Sequence, residues 1–174
     1  MILRLSQKLN TKIKAGKLDA APMDENPYAD WSCHLFNVSR TQFVILCNTA
    51  SLYSCLLYAK GITQDGIFVR LALETIRESL DDAGYAAVYS NAIAPASGTI
   101  QFAKALSRSV TGSMNDLLVH AKYRLAEGES PHDVGVRLND VLLSALATEE
   151  SRGYGTPIGA FRYLAQSVGT FSSE

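Results

Sequence analysis

Two apolar runs separated by a short polar turn are the feature that most constrains the fold of this chain. Residues 31–38 and 43–47 are rich in aromatic and β-branched residues, and the four residues between them are polar. This pattern is typical of a β-hairpin. A second turn at 48–51 and an apolar run at 52–58 extend the hairpin to a three-stranded meander. Because the runs are continuously apolar rather than alternating, we expect helices to cover both faces of the sheet.

The remaining patterns predict elements on either side of this meander. Before it we predict a strand at 2–6, a helix capped by Ser6 and ended by Gly16, and a loop at 19–30. After it we predict a helix over 64–82 capped by Thr63 or Asp65, a short strand at 85–89, a loop at 91–98 and a strand at 99–105. Helices then follow over 109–127, from Pro131 onward (carrying Val141, Leu142 and Leu146), and from Pro157 onward. The predicted fold class is α+β, with an antiparallel meander or small sheet packed against several helices in one domain, residues 1–174, whose tail at 169–174 is frayed.

Composition excludes several classes of protein. A chain of 174 residues predicts about one domain, and 47% hydrophobic residues with a net charge of −1 exclude a disordered chain. No apolar run approaches the roughly 18 residues of a membrane span, and the N-terminus does not resemble a signal peptide. The cysteines Cys33, Cys47 and Cys55 form no CxxC pair and are odd in number. They indicate reduced structural thiols and a cytoplasmic location.

The net charge of −1 is the sum of basic and acidic blocks. Residues 1–18 carry five bases and no acid, and residues 19–30 carry four acids and no base. Residues 101–124 are again basic, and residues 125–150 are acidic. One interpretation is a set of solvated faces whose charges pair with one another. The other is that the two basic blocks meet in the fold and bind an anion, with Lys8 and Lys12 contributing.

The start of the helix after residue 107 is the candidate binding site. The segment 107–116 places hydroxyls, a guanidinium and a glycine where free backbone amides and the helix dipole attract anions. The candidate ligand-binding residues are Arg108, Ser109, Gly112, Ser113 and Asn115. Alternatively, Ser109, Thr111 or Ser113 is simply the N-cap. The segment lacks the lysine and the spacing of a P-loop and does not contain GxSxG.

Four segments together resemble one known family. They are Met1-Ile2-Leu3-Arg4-x-Ser6-x-Lys8-Leu9, Asp30-Trp31-x-x-x-Leu35, Asn48-x-x-Ser51-Leu52-Tyr53-Ser54, and Arg108-Ser109-Val110-x-Gly112-Ser113-Met114-Asn115-Asp116. The pattern is similar to that of a family of short bacterial proteins known only as a domain of unknown function. The resemblance implies a bacterial origin and one compact domain, and it implies no activity.

An enzymatic alternative is built on the helix after residue 107. Asp116 and His120 lie four residues apart, so that the carboxylate can orient the imidazole as a general base, with Ser113, a thiol of the hairpin or a metal completing a hydrolase or nuclease. The competing interpretation is a row of solvent-facing charges. His34 is expected to be a hydrogen-bonded strand residue, and the isolated histidines at 34, 120 and 132 form no pair of metal ligands. No metal and no cofactor are implied.

The aromatic residues of the strands, Trp31, Phe36, Tyr53 and Tyr58, are either core residues or a platform for nucleic-acid bases. The sequence thus favours a non-enzymatic binding or accessory module. Its partner is a protein, an anionic ligand or a nucleic acid, and not a membrane. A homodimer formed through the hairpin edge or the last helix is a further hypothesis.

Overall fold

A five-stranded sheet forms the centre of the protein. The computed structural model describes residues 1–147 and 153–167, so the tail predicted at 169–174 lies outside the described residues. The strands are β1 (Ile2–Leu5), β2 (Asp30–Val38), β3 (Thr41–Asn48), β4 (Ser54–Tyr58) and β5 (Gln101–Ala103), in the order β4-β3-β2-β1-β5. The predicted meander is confirmed, because β2, β3 and β4 pair in antiparallel fashion. β1 lies between β2 and β5 and is parallel to both, so the sheet is mixed.

The two turns of the meander follow from their residues. Val38 pairs with Thr41, so only Ser39 and Arg40 connect β2 to β3. At the second turn, the Oδ1 atom of Asn48 accepts hydrogen bonds from the amide and the hydroxyl of Ser51, at 3.0 and 2.8 Å. An Asn side chain that bonds the backbone ahead of it mimics a turn, which explains the sharp reversal here.

The longer helices are α1 (Gln7–Ile13), α2 (Asp65–Asp82), α5 (Arg108–Ala126), α6 (Pro131–Leu138) and α7 (Pro157–Ser167). Ser6 caps α1 as predicted, its hydroxyl accepting from the Leu9 amide. α1 ends before Gly16, at Lys14, which adopts a left-handed conformation with φ 59°. The N-cap of α2 is Gln64, not Thr63 or Asp65, and its side chain makes no capping bond. The Asp65 carboxylate accepts instead from the amide of the next residue, Gly66, at 2.7 Å. None of the helices in the described residues is both long and apolar enough to cross a membrane.

The segment after α2 differs from its prediction. The strand expected at 85–89 and the loop expected at 91–98 are helical, as α3 (Ala86–Val88), a π-helical turn (Tyr89–Ile93) and α4 (Ala94–Ala96). The physical reason is the spacing of apolar residues across the whole segment. Apolar residues that pack on one core recur here every three or four positions, at Tyr85, Val88, Ala92 and Ala96. The predicted strand at 85–89 is too short to show this helical period.

α6 is shorter than expected because of a polar side chain at its end. Val141, Leu142 and Leu146 were expected on this helix, but α6 ends at Leu138 with Asn139 as its C-cap. The amide group of Asn139 accepts from the Ser54 amide at 2.7 Å and donates to the Ser54 carbonyl at 2.9 Å. These bonds tie the end of α6 to the start of β4, and a short 3₁₀ turn, Ser144–Leu146, follows.

Helices cover both faces of the sheet, as the continuous apolar runs predict. On one face, a core cluster joins the strands to α1, α2 and α7, with Leu9, Phe68 and Phe161 fully buried. On the other face, Phe43 and Ile45 pack against α5 and α6. The single predicted α+β domain is therefore confirmed, with the sheet as its middle layer.

A buried ion pair joins β1 to the start of β2. Arg4 on β1 is 2% exposed and Asp30 is fully buried. The guanidinium donates to both carboxylate oxygens of Asp30, at 2.8 and 2.7 Å. Its other N–H groups donate to the carbonyls of Ala21, Pro22 and Lys104. Since a guanidinium has five N–H donors, every one of them is used.

Candidate functional site

An open groove of about 850 Å³ lies between α1 and α5, above the ends of β2 and β3. α1 contributes polar and basic side chains, while α5 contributes two apolar residues, an amide and a lysine. The lining residues are Gln7, Lys8, Thr11, Lys12, His34, Leu35, Phe36, Asn37, Gln42, Asn115, Leu118, Val119 and Lys122. The groove thus brings together the basic blocks 1–18 and 101–124, which are far apart along the chain.

The amphipathic pattern of α1 directs its lysines into the groove. Leu9 and Ile13 are buried on one side of the helix, so Lys8 and Lys12, four residues apart, lie together on another. The hydroxyl of Ser6 accepts from the amides of both Leu9 and Leu35, at 3.3 Å each. This shared bond fixes the start of α1 against β2, beside the groove.

The groove is positively charged. Lys8, Lys12 and Lys122 line it, and none of its lining residues is an acid. The Nζ atom of Lys12 donates to Oε1 of Gln42 at 2.8 Å. Lys8 and Lys122 form no hydrogen bond or ion pair with any residue that the structure describes. Neither ammonium group is therefore paired with an acid among the described residues.

His34 lies in the groove between these charges. It is on β2, as predicted, and is partly buried, but its imidazole lacks the expected hydrogen bond to another residue of the described chain. Burial lowers the pKa of His34, and the charges of Lys8 and Lys122 lower it further. The imidazole is therefore neutral at neutral pH, with one nitrogen able to donate and the other able to accept.

The predicted site at the start of α5 is only partly in the groove. Ser107, not Ser109, Thr111 or Ser113, is the N-cap, and its hydroxyl accepts from the Val110 amide at 3.3 Å. The lining residues from α5 include Asn115 but not Arg108, Ser109, Gly112 or Ser113. Arg108, Ser109 and Gly112 are exposed. Ser113 is buried, and its hydroxyl donates to the Ser109 carbonyl at 3.2 Å.

The residues of the enzymatic alternative do not converge. Asp116 and His120 are exposed and line a shallow depression with Leu142 and Tyr154, and no hydrogen bond joins the carboxylate to the imidazole in the described residues. Ser113 is not among the residues of this depression. No group of three potential metal ligands from His, Cys, Asp and Glu occurs in the part of the chain that the structure describes.

The thiols and the strand aromatics belong to the interior. All three cysteines are free and buried, and burial raises the pKa of each, that of Cys47 to about 12. Such thiols are protonated at neutral pH and are poor nucleophiles. Trp31, Phe36 and Tyr53 are buried as well, so only Tyr58 of the four aromatics is exposed.

Sequence reasoning missed two parts of the groove. In the sequence, Lys122 stands out only as a member of a basic block, Asn37 falls within the predicted strand 31–38, and Gln42 falls within the polar turn 39–42. The available signal was the helical spacing of Lys122 from Asn115 and Leu118, which places all three near one edge of α5. No sequence pattern indicates that α1 lies opposite this edge of α5.

Comparison with known proteins identifies a family. Neither the curated proteins nor the solved structures contain a match to this chain. Residues 2–160 match DUF6933, a domain of unknown function. Because this match covers most of the 174 residues, the chain belongs to the DUF6933 family.

Proposed function

We propose that this protein is a non-enzymatic binding module that holds a small anionic ligand in the groove between α1 and α5. The observation that carries the proposal is the convergence of Lys8, Lys12 and Lys122 on one groove whose lining includes no carboxylate. A concave site of like charge concentrates its field and attracts ions of opposite sign. Its volume of about 850 Å³ falls in the range of roughly 300–1,000 Å³ that is usual for small-molecule sites.

The other lining residues favour a small molecule over a nucleic-acid strand. Leu118 and Val119 supply apolar surface, and the amides of Asn37, Gln42 and Asn115 supply groups that both donate and accept. Binding of a single strand relies on exposed aromatic side chains on which bases stack. Phe36, the only Phe, Tyr or Trp among the described residues that line the groove, is 5% exposed. A ligand with an anionic group and a compact polar and apolar body fits this lining.

The proposal is tested with inorganic pyrophosphate as the probe. Isothermal titration calorimetry at low salt is expected to show binding, and Lys8→Ala and Lys122→Ala are each expected to weaken it about tenfold, since each removes one charged contact worth about 1.5 kcal/mol. Lys60→Ala is the matched control, because Lys60 is exposed and outside the groove. Raising the salt concentration weakens binding in every variant that retains it.

Two results would overturn the groove as the binding site. The first is wild-type affinity in both groove variants. The second is a loss of pyrophosphate binding in Arg108→Ala while Lys8→Ala binds normally, which would place the anion at the start of α5 instead. Circular dichroism of each variant checks that the fold is intact.

We further propose that the protein acts in the bacterial cytoplasm. The resemblance of its sequence to short bacterial proteins supports the source. The three free thiols support a reducing compartment, since cysteines in oxidising compartments are usually paired. Fractionation of the native host with an antibody to the protein tests this assignment, and recovery from the periplasm or the medium would contradict it.

A further inference from the structure

The uncompensated positive charge of the groove is concentrated around His34. Lys12 already has a partner in Gln42, whereas Lys8 and Lys122 have none in the described residues. These two lysines come from separate helices, α1 and α5, and both charges act on the imidazole of His34. A negative charge is therefore attracted most strongly to the position beside His34, where the lysines of both helices can reach it.

We propose that Lys8, Lys122 and His34 form a subsite for a dianionic oxyanion of the phosphate type, and that His34 takes up a proton when the anion binds. The inference rests on the proposed function of the groove and specifies the chemistry of its ligand. Two lysines supply charge from opposite walls, and the protonated imidazole supplies a directed N–H donor to an anion oxygen. Charge-assisted bonds of this kind are roughly twice as strong as neutral ones.

The proton uptake follows from the groups that face His34. The charged groups of the lining are Lys8 and Lys12 from α1 and Lys122 from α5, while the neighbouring strand β3 contributes the neutral Gln42. Burial, together with the charges of Lys8 and Lys122, disfavours the imidazolium and lowers the pKa of His34. A bound dianion reverses the local charge and favours the imidazolium. By linkage, the anion then binds more tightly at lower pH.

Nuclear magnetic resonance of the histidine side chains tests the inference directly. The chain has three histidines, so each imidazole gives a resolvable titration, and His34→Gln assigns the signal of His34. Sulfate is the probe, because it stays a dianion throughout the range of about pH 5 to 8 in which histidine titrates. The comparison is made with sodium sulfate against sodium chloride at equal ionic strength.

We expect sulfate to raise the titration midpoint of His34 by about one pH unit, and to leave those of His120 and His132 within roughly 0.2 units. A shift of one unit corresponds to an affinity about tenfold higher on the acid side of the titration than on the alkaline side. His34→Gln is expected to bind sulfate with the alkaline affinity of the wild type at every pH, since glutamine keeps a donor but cannot be protonated.

Different results would overturn this inference and the proposed function of the groove. If amide signals of the groove shift with sulfate in a way that depends on Lys8 and Lys122, but the midpoint of His34 does not move, the proton-linked subsite is wrong and the binding groove stands. Equal shifts at all three histidines indicate general screening and also overturn the subsite. If neither sulfate nor pyrophosphate perturbs the groove, both proposals are wrong. If His34→Gln fails to fold, His120→Gln and His132→Gln assign the other two signals and thereby that of His34, and the wild-type titration then decides the matter.

Discussion

Replacing Arg4 by methionine is expected to destabilise the protein severely, because it leaves the carboxylate of Asp30 buried without its cation. Methionine retains much of the length of the side chain, so the change removes the charge and the five donors more than the volume. Among the described residues, the Asp30 carboxylate would retain only the bond from the Asp24 amide, at 3.0 Å. The carbonyls of Ala21, Pro22 and Lys104 would lose their donors as well.

The magnitude follows from the bonds that are lost. The guanidinium makes two charge-assisted bonds to Asp30, at 2.8 and 2.7 Å, and each such bond is worth about 1.5–3 kcal/mol. Removing one partner of a buried pair generally costs about 3–5 kcal/mol. With a urea dependence of about 2 kcal/mol per molar, the unfolding midpoint is expected to fall by about 2 M.

The assay is urea unfolding followed by the fluorescence of Trp31, the only tryptophan, which is fully buried. Arg70→Met is the matched control, because Arg70 forms an exposed pair with Glu74 that is worth less than about 0.5 kcal/mol. In a double-mutant cycle, Arg4→Met with Asp30→Asn should cost less than the sum of the single changes by at least about 1.5 kcal/mol. A cost below about 1 kcal/mol for Arg4→Met, or an additive cycle, would refute the reasoning.

Two further expectations concern packing and pH. Gly135→Ala on α6 should lower the free energy of unfolding in urea by about 1–3 kcal/mol, because the added Cβ would lie 3.2 Å from the Cα atom of Cys55. The added Cβ of Gly112→Ala meets no atom within 4 Å, so this change should instead stabilise α5 by about 0.5–1 kcal/mol. Equal effects of the two substitutions would contradict this account. Burial raises the pKa of Cys47 to about 12 from the ordinary thiol value of 9.0, so the unfolded chain loses this proton first and stability falls as pH rises above 9. Cys47→Ala should flatten that decline in urea unfolding between about pH 8 and 10, and an unchanged slope would show that other groups cause it.

The charge blocks predict only part of the candidate site. Some charges of these blocks pair with one another, and others meet in the groove. Arg4 is buried on Asp30, and Lys17 lies 3.4 Å from Asp19, so two bases of the first block pair with the acidic block that follows it. Lys8 and Lys12 line the groove instead. Local spacing cannot distinguish a buried base from a groove base, because the difference depends on which strand lies beside β1.

The fold was more predictable than the site for a related reason. The meander and the helix α5 were predictable because their apolar patterns are long and repeat with a clear period. The parallel pairing of β1 with β2 and β5 was not, since it joins residues 2–5 to residues near 30 and near 101. Pairing over such distances depends on tertiary packing, and the groove depends on it in turn because α1 follows β1 directly.

The contacts at the outer strands bear on how the protein can associate with others. The side chain of Asn139 occupies both backbone groups of Ser54 at one margin of the sheet. At the other margin, Asp19 forms a β-bridge with Ala103, and its carbonyl accepts from the amide of Lys104 at 3.0 Å. An unprotected edge strand can template intermolecular β-pairing and aggregation. Here, these contacts occupy backbone groups at both margins of the sheet, which works against polymerisation through β-pairing at these positions.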